Sequence, residues 1–287
     1  ADSYRRIRNT VRYLLSNLPD FNPATDLIAL DDMVALDRWA VARAAALQGE
    51  IISHYDAYDL HLIYQKLHNF CVVDLGGFYL DITKDRVYTC AQNSAARRSA
   101  QSAQYHIVQA LVRWIAPILS FTADEIWQAI PGNTGAVFTQ TWYDFPAAST
   151  PALIDEQTWA IIADLKSEVN RAIEAARTSD GIGKALEAEV TLYAEPEFMA
   201  ALSVLGDELR FILITSKVTW LPLGQAPASA QAGQNLPVKI SIAKTSAAKC
   251  VRCWHHCDDI GQRSDHPELC GRCYTNISSE GEVRAYA

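Results

Sequence analysis

The chain has 287 residues, a formal charge of −8, seven cysteines, and 49% apolar residues. That is enough apolar chain for two or three domains, and no apolar run approaches the roughly 18 residues of a membrane-spanning helix. The acidic balance argues against indiscriminate binding to DNA or RNA, yet leaves room for a local basic face. Cys71 and Cys90 lie far from the other five cysteines, and an odd total fits a reducing, cytoplasmic setting. The chain opens on Ala1 inside a charged segment, without an initiating Met or a signal-peptide core, which reads as a cut inside a longer protein.

Tyr4, Ile7, Val11, Leu14, Leu15 and Leu18 recur at three- and four-residue steps and predict a helix over 2–18. Arg5, Arg8 and Arg12 run beside that stripe with Arg6 adjacent, and four arginines against Asp2 give a net +3. The arginines read either as a solvated face or as a ridge for phosphate oxygens, which the guanidinium fork suits. Pro19 and Pro23 break the helix. Asp31 or Asp32 is placed to cap a second helix with Leu36, Trp39, Leu47, Ile51 and Tyr55 on one side. A third helix is expected from about Tyr58, with Leu60, Ile63, Tyr64, Leu67, Phe70 and Cys71 inward, before Gly76-Gly77 interrupts it. His61 and His68 share a face but lack a third ligand.

A long helix is predicted from Ser94 to Pro117, carrying Arg97 and Arg98 in its first turns and Arg113 further on. Thr122-Ala-Asp-Glu125 has the spacing of a capping box for a short helix closed by Pro131-Gly132. Short connections make this first part an antiparallel helix bundle. Residues 132–152 read as a surface connector, with Trp142 and Tyr143 pinned on something.

A further helix carries Trp159, Ile162, Leu165, Val169 and Ile173 and ends near Gly181. Residues 189–194 alternate as a strand, and 197–205 form a short helix. Residues 207–216 suit a buried helix or a strand, with helix favoured. Strands follow at 218–221 and 238–243, with a loop over 224–235. Gly181-Ile-Gly183-Lys184 lacks the remaining residues of a dinucleotide or Walker loop, so a helix C-cap is the better reading.

The chain closes on Cys250-Val-Arg-Cys253 and Cys270-Gly-Arg-Cys273, two C-x2-C knuckles sixteen residues apart. That spacing lies in the window of four-thiolate zinc sites, where each tight turn supplies two corners of a tetrahedron. A segment this poor in apolar side chains needs a staple to fold. Two disulfides or four idle thiols are the alternatives. Four thiolates leave no open position, so one Zn2+ here would be structural. Cys257, unpaired, reads as a bystander, although it or His255, His256 and His266 offer substitute ligands. The expected class is mainly α: a helix bundle over 1–150, a small α+β module over 151–245 and a four-cysteine zinc-knuckle domain over 246–287. No nucleophilic triad, paired catalytic carboxylates or nucleotide loop stands out. The residues alone leave RNA binding and protein binding near even.

Ser3-Tyr-Arg-Arg-Ile-Arg-Asn-Thr10, with Leu14-Leu-Ser-Asn-Leu-Pro-Asp-Phe-Asn-Pro23, resembles the opening of the anticodon-binding bundle of bacterial isoleucyl-tRNA synthetases, a class I family. Leu36-Asp-Arg-Trp39, residues 78–86, Ala116-Pro-Ile-Leu-Ser-Phe-Thr-Ala-Asp-Glu-Ile-Trp127, residues 186–193 and 206–211 and the terminal Cys-x-x-Cys-Trp-His are similar to the same family in the same order. The 116–127 segment is shared with leucine and valine enzymes, whereas the opening and the knuckles narrow the resemblance to isoleucine. The family's His-Ile-Gly-His and Lys-Met-Ser-Lys-Ser signatures occur nowhere in the chain.

The resemblance implies a C-terminal piece that binds the anticodon stem-loop of isoleucine tRNA. ATP and Mg2+ would belong to a catalytic domain absent from the chain, and the parent enzyme would be a monomeric isoleucine-tRNA ligase. The fragment alone would be inactive, with no catalytic residue, no DNA partner and no membrane. It also implies Cys250, Cys253, Cys270 and Cys273 as zinc ligands. Arg5, Arg8, Arg12, Arg97 and Arg98 would grip phosphates, and Arg252, Trp254 and Arg272 would face base or backbone. Packing of Trp254 over the thiolates is an equal alternative. An equivalent leucyl- or valyl-tRNA synthetase fragment, or a protein-interaction scaffold, are the competing readings.

Overall fold

The computed structural model describes residues 2–287, apart from the side chains of 179 and 180. It divides into two compact units, residues 1–88 with 92–152 and residues 89–91 with 153–287. The stretches 151–245 and 246–287 therefore fall almost wholly in one unit.

The first unit is helical. Helix α1 (Asp2–Ser16) buries Ile7, Val11 and Leu14, the stripe its periodicity predicts. The chain leaves the helix two residues before Leu18, which stays buried. Helix α2 (Ala35–Asp56) starts without a side-chain cap. Asp31 instead accepts from the backbone N–H groups of Ser149 (2.9 Å) and Thr150 (3.1 Å), which ties down the end of the connector.

Helix α3 (Leu60–Asn69) buries Ile63 and Leu67, but Leu60 and Tyr64 are exposed, because the two lie one turn apart on the opposite face. Gly76-Gly77 does not interrupt the chain. The helix widens to a π-helical stretch over Phe70–Tyr79 and runs on as α4 (Leu80–Thr89). A Cβ at Gly76 would stand 3.0 Å from the Cys71 carbonyl and one at Gly77 3.3 Å from that of Val72, each five residues back. The glycines admit the wide turn rather than breaking the helix.

Helix α5 (Ala95–Ile115) is capped by Ser94, whose Oγ accepts from the Arg97 N–H at 3.3 Å, and it is buried on nearly every side. Its polar side chains are consequently paired. Asn17 Nδ2 donates to Gln104 (2.9 Å), Gln101 donates to the Asn17 carbonyl (2.7 Å), and His106 Nδ1 meets the Tyr143 hydroxyl (2.7 Å). The tightest group centres on Asp37. Arg86 grips its carboxylate with two bonds of 2.7 and 2.8 Å, Tyr79 donates at 2.8 Å and Ser99 at 2.5 Å. Both charged side chains are at most 1% exposed.

Helix α6 (Ser120–Ala129) has Leu119 at its N-cap, three residues before the position the capping box requires, so Thr122 lies inside it. Thr122 meets the Tyr4 hydroxyl at 3.1 Å, and Glu125 accepts from Arg8 at 3.0 Å, so both brace α1 rather than capping α6. Trp142 and Tyr143 are pinned as expected. Trp142 packs on Tyr55 with ring centroids 5.7 Å apart, and Arg113 stacks over Trp127 and Tyr143.

In the second unit, α7 (Glu156–Asp180) is capped by Asp155, buries Trp159, Ile162, Leu165, Val169 and Ile173, and ends on left-handed Gly181. A mixed sheet follows: β1 (Ala188–Ala194), β2 (Lys217–Pro222), β3 (Gln231–Ala232) and β4 (Val238–Lys244), in the order β2-β1-β4-β3. β1 pairs parallel with β2 and antiparallel with β4. Helix α8 (Pro196–Ser203) and the short α9 (Leu209–Leu213) make the crossover between the parallel pair, so 207–216 is helical at its centre, and the 224–235 loop contains β3. The hairpin β5 (Ala248–Lys249) and β6 (His256–Cys257), then α10 (Gly271–Ser278), build the cysteine segment.

Two stability measurements test the helical unit. Arg86→Met leaves a buried, unpaired carboxylate and is expected to cost about 3–5 kcal/mol in denaturant unfolding, with much of the loss recovered when Asp37→Leu is added. Burial holds the His106 imidazole down at about 4 from its ordinary 6.5. The folded state therefore binds its proton less readily than the unfolded chain. The stability it contributes is whole above about pH 6.5 and drains as pH falls towards about 4. His106→Asn should flatten the pH dependence of unfolding in that window.

Candidate functional site

Cys250 and Cys253 sit on the turn joining β5 to β6, and Cys270 and Cys273 at the start of α10. The first knuckle is closed by Cys250 N–H on the His255 carbonyl (2.9 Å) and Trp254 N–H on the Cys250 carbonyl (3.0 Å). Trp254 carries the turn with φ +68. In the second knuckle, the Cys270 N–H points at Cys250 Sγ (3.4 Å) and the Gly271 N–H at Asp259 (2.6 Å). A Cβ at Gly271 would lie 2.6 Å from that carboxylate, so a larger residue there would displace the Asp259 side chain from the Gly271 N–H.

All four sulfurs are buried and lie within 4.8 Å of one another. A tetrahedron with Zn–S bonds of about 2.3 Å has edges of about 3.8 Å. The Cys253–Cys270 separation is 3.7 Å. As thiols alone the group is electrostatically awkward. Hydrogen bonds from Cys253, Cys257 and Cys273 hold Cys270 far below the ordinary thiol range. The bond to Cys270 pushes Cys253 up to about 12, and bonds to Cys253 and Cys270 drive Cys273 well up. Four thiolates this close need a cation at their centre, so the residues fit a divalent metal. Cys257 packs against the cluster but lies outside the four-sulfur set. His255 is buried beside Arg210 and edge-on to Phe211, and His256 bonds the Ala247 carbonyl at 2.7 Å. His266 pairs with Glu268 at 3.7 Å.

The basic residues divide into those turned outward and those turned inward. Arg5 and Arg12 are exposed. Arg5 pairs locally with Asp2 at 2.5 Å, and Arg8 bridges Tyr4 and Glu125. Arg97 and Arg98 are turned inward. Arg97 grips both oxygens of Asp20 (2.6 and 3.1 Å), and Arg98 donates to the Asp20 carbonyl (2.9 Å) and lies 3.5 Å from Asp26. The Arg97 bond holds the Asp20 carboxyl down at about 2. These two forks fasten the loop after α1, and neither is presented to solvent.

The knuckle residues separate in the same way. Arg252 donates to the Thr89 carbonyl and lies 3.8 Å from Cys273 Sγ, while Arg272 pairs with Glu282 (3.4 Å) and stacks on Phe211. Trp254 is 56% exposed, with Lys249 Nζ 5.4 Å and Lys184 Nζ 5.8 Å from its ring. Its backbone makes the turn, and its ring stands outside the sulfur cluster. The two lysines are functional candidates that sequence reading passes over. Lys184 reads as part of a helix C-cap, and only the fold brings it to the knuckle. Lys249 directly precedes Cys250, a signal present in the sequence.

The chain belongs to the family of tRNA-ligase anticodon-binding domains: the model described as the anticodon-binding domain of tRNA ligase matches residues 37–192, more than half of the chain's length. The zinc finger found in FPG and IleRS matches residues 248–276. More particularly, the chain corresponds along its whole length to the C-terminal portion of bacterial isoleucine-tRNA ligases. It is 58% identical over 288 residues to that of Teredinibacter turnerae and 57% to that of Saccharophagus degradans. It is 54% identical over 289 residues to that of Azotobacter vinelandii. Each alignment covers 100% of this chain and 31% of the relative, so the chain spans about a third of the curated relatives it matches.

Proposed function

We propose that the chain is the tRNA-gripping portion of an isoleucine-tRNA ligase, holding the anticodon stem-loop of isoleucine tRNA so that the acceptor end reaches a catalytic domain elsewhere. ATP and Mg2+ would act in that domain, and the parent enzyme would be a cytoplasmic monomer. The observation that carries the reading is the exposed Trp254 ring between Lys184 and Lys249, held by the knuckle of a chain whose bundle matches an anticodon-binding family. An unstacked base can lie on such a ring while the ammonium groups take the flanking phosphates. Arg5, Arg8 and Arg12 form the second contact surface. Arg97, Arg98, Arg252 and Arg272 support it indirectly by holding the loop and the knuckles. Cys250, Cys253, Cys270 and Cys273 hold one structural Zn2+, which fixes the turn that presents Trp254 and takes no part in bond making.

Two measurements test this. Titration with isoleucine tRNA, beside the same tRNA with a changed anticodon, is expected to favour the native anticodon. Trp254→Ala should weaken binding about tenfold at every salt concentration, the scale of one lost base stack, whereas Arg12→Ala should act mainly at low salt. Equal affinity of the Trp254→Ala and unmutated chains would overturn the stacking role. The chain should also contain one zinc. Chelation or Cys250→Ser should remove it and expose residues 246–287 to proteolysis while the circular dichroism of the helix bundle persists.

A further inference from the structure

The helix bundle leaves an apolar surface uncovered at one end, where four pieces of chain converge. The Tyr55 hydroxyl, near the end of α2, donates to the Trp114 carbonyl near the end of α5 at 2.6 Å, and the first turns of α1 brace α6 through Tyr4 and Arg8. Ile118 is 41% exposed, and Phe121 at the start of α6 is 95% exposed. Phe138 and Trp142 of the connector, 57% and 38% exposed, edge a cleft of about 410 Å3 whose walls include Pro117 and Val137. Among the described residues, Arg113 is the one charged side chain in those walls, and its donors are engaged. Nε donates to the Thr141 carbonyl (3.0 Å), and Nη1 to the Gln109 carbonyl (2.6 Å) and Oε1 (2.7 Å). Segments 116–122 and 136–142 contain no charged residue. A ring as exposed as Phe121 adds nothing to the core of this chain. Uncharged aromatic surface with a cleft beside it has the composition of the centre of a protein interface.

We propose that this end of the bundle is the docking surface for the preceding part of the parent ligase, with Phe121 as its anchor. The inference rests on the reading of the chain as the C-terminal portion of such an enzyme. The matched relatives keep the larger part of their length outside the alignment, and in a C-terminal portion that part joins ahead of α1. Tyr4 of α1 meets Thr122 at 3.1 Å, and Thr122 directly follows Phe121, so the preceding polypeptide enters beside the exposed ring. RNA is a poor occupant. A phosphate backbone needs cations, whereas the guanidinium in this cleft spends its donors on two carbonyls and Gln109. The occupant is an apolar protein surface that covers Phe121 and fills the cleft between Pro117 and Trp142. A chain connection alone leaves two domains free to swing, and an apolar contact holds their orientation. Docking here fixes the bundle against the body at a second place, so that a stem-loop held by the bundle keeps a set distance from the catalytic domain.

The test is amide hydrogen exchange, read by mass spectrometry, on the chain alone and on the intact ligase that contains it. The N–H groups of Ser120, Phe121 and Thr122 open α6 and have no acceptor within it, so they exchange fast in the chain alone. In the intact ligase, exchange across 116–122 and 136–142 should slow by roughly tenfold or more. Phe121→Asp should restore fast exchange there in the ligase. In the chain alone the same substitution should leave thermal unfolding and the affinity for isoleucine tRNA unchanged, since the ring lies outside both the core and the RNA surface. Equal exchange in the chain and the ligase would overturn the proposal. So would protection of the chain alone by added isoleucine tRNA, which would make the surface an RNA contact, or by raised chain concentration, which would make it a contact between copies. Failure of the chain to bind isoleucine tRNA would refute the tRNA reading instead, and the exchange comparison would still decide the docking surface. Should Phe121→Asp misfold in the ligase, the comparison of the unmutated proteins decides alone.

Discussion

Asp37 and Arg86 meet where neither touches water, and the helical unit is arranged around keeping them satisfied. A buried carboxylate is tolerable only when its acceptor sites are filled, and here Arg86 supplies two donors and Tyr79 and Ser99 one each. Arg86 also donates to the Ala96 carbonyl at 2.9 Å. These residues come from α2, the π-helical turn, α4 and α5, so one charge fixes the mutual register of four pieces of chain. Apolar packing alone tolerates a helix that slides or rotates a little, whereas a two-pronged guanidinium–carboxylate contact does not. Burial drives the Tyr79 hydroxyl's ionisation well above its ordinary value, so it stays a donor.

The second unit meets the same need for definition by other means. Its sheet has an ordinary apolar core on β1, but residues 246–287 contribute little beyond the cysteines, Leu269 and the partly buried Ile260. Carboxylates do the remaining work of holding backbone. Glu208 accepts from three successive N–H groups, those of Ala285, Tyr286 and Ala287, at 2.8–2.9 Å. Arg284, Arg272 and Arg210 stack around Phe211. A module organised by sulfur, charge and stacking can display a large exposed aromatic ring because it does not need that ring for its core.

Elements with a strong internal signal were legible in the sequence. α1, α5, α7, β1 and β4 follow from apolar spacing, and the Ser94 cap and the Gly181 stop follow from residue chemistry. The four-cysteine centre was legible from spacing alone. What escaped depended on partners distant in the chain. The capping box at Thr122 is locally sound, but Thr122 and Glu125 find better use bracing α1. Asp31 is a plausible cap until it meets the connector more than a hundred residues later. Arg97 and Arg98 have the pattern of a phosphate grip, and nothing nearby in the sequence says that Asp20 neutralises them. Charge patterns report what a side chain carries and are silent on where it points.

The wide turn over Phe70–Tyr79 bears on how the chain counts its own residues. In an α-helix each residue turns the chain by about 100°, so the π-helical stretch acts as an inserted phase shift between α3 and α4. Removing one residue there would let Gly76-Gly77 relax to ordinary helix with better hydrogen bonds. It would also rotate everything downstream by that angle and swing Arg86 off the face that meets Asp37. The segment thus trades local regularity for long-range alignment, and its length is constrained more tightly than its composition. Homologous chains should accordingly keep the number of residues between Asn69 and Leu80, together with the two glycines and the buried side chains such as Tyr79, and vary at the outward positions of this stretch.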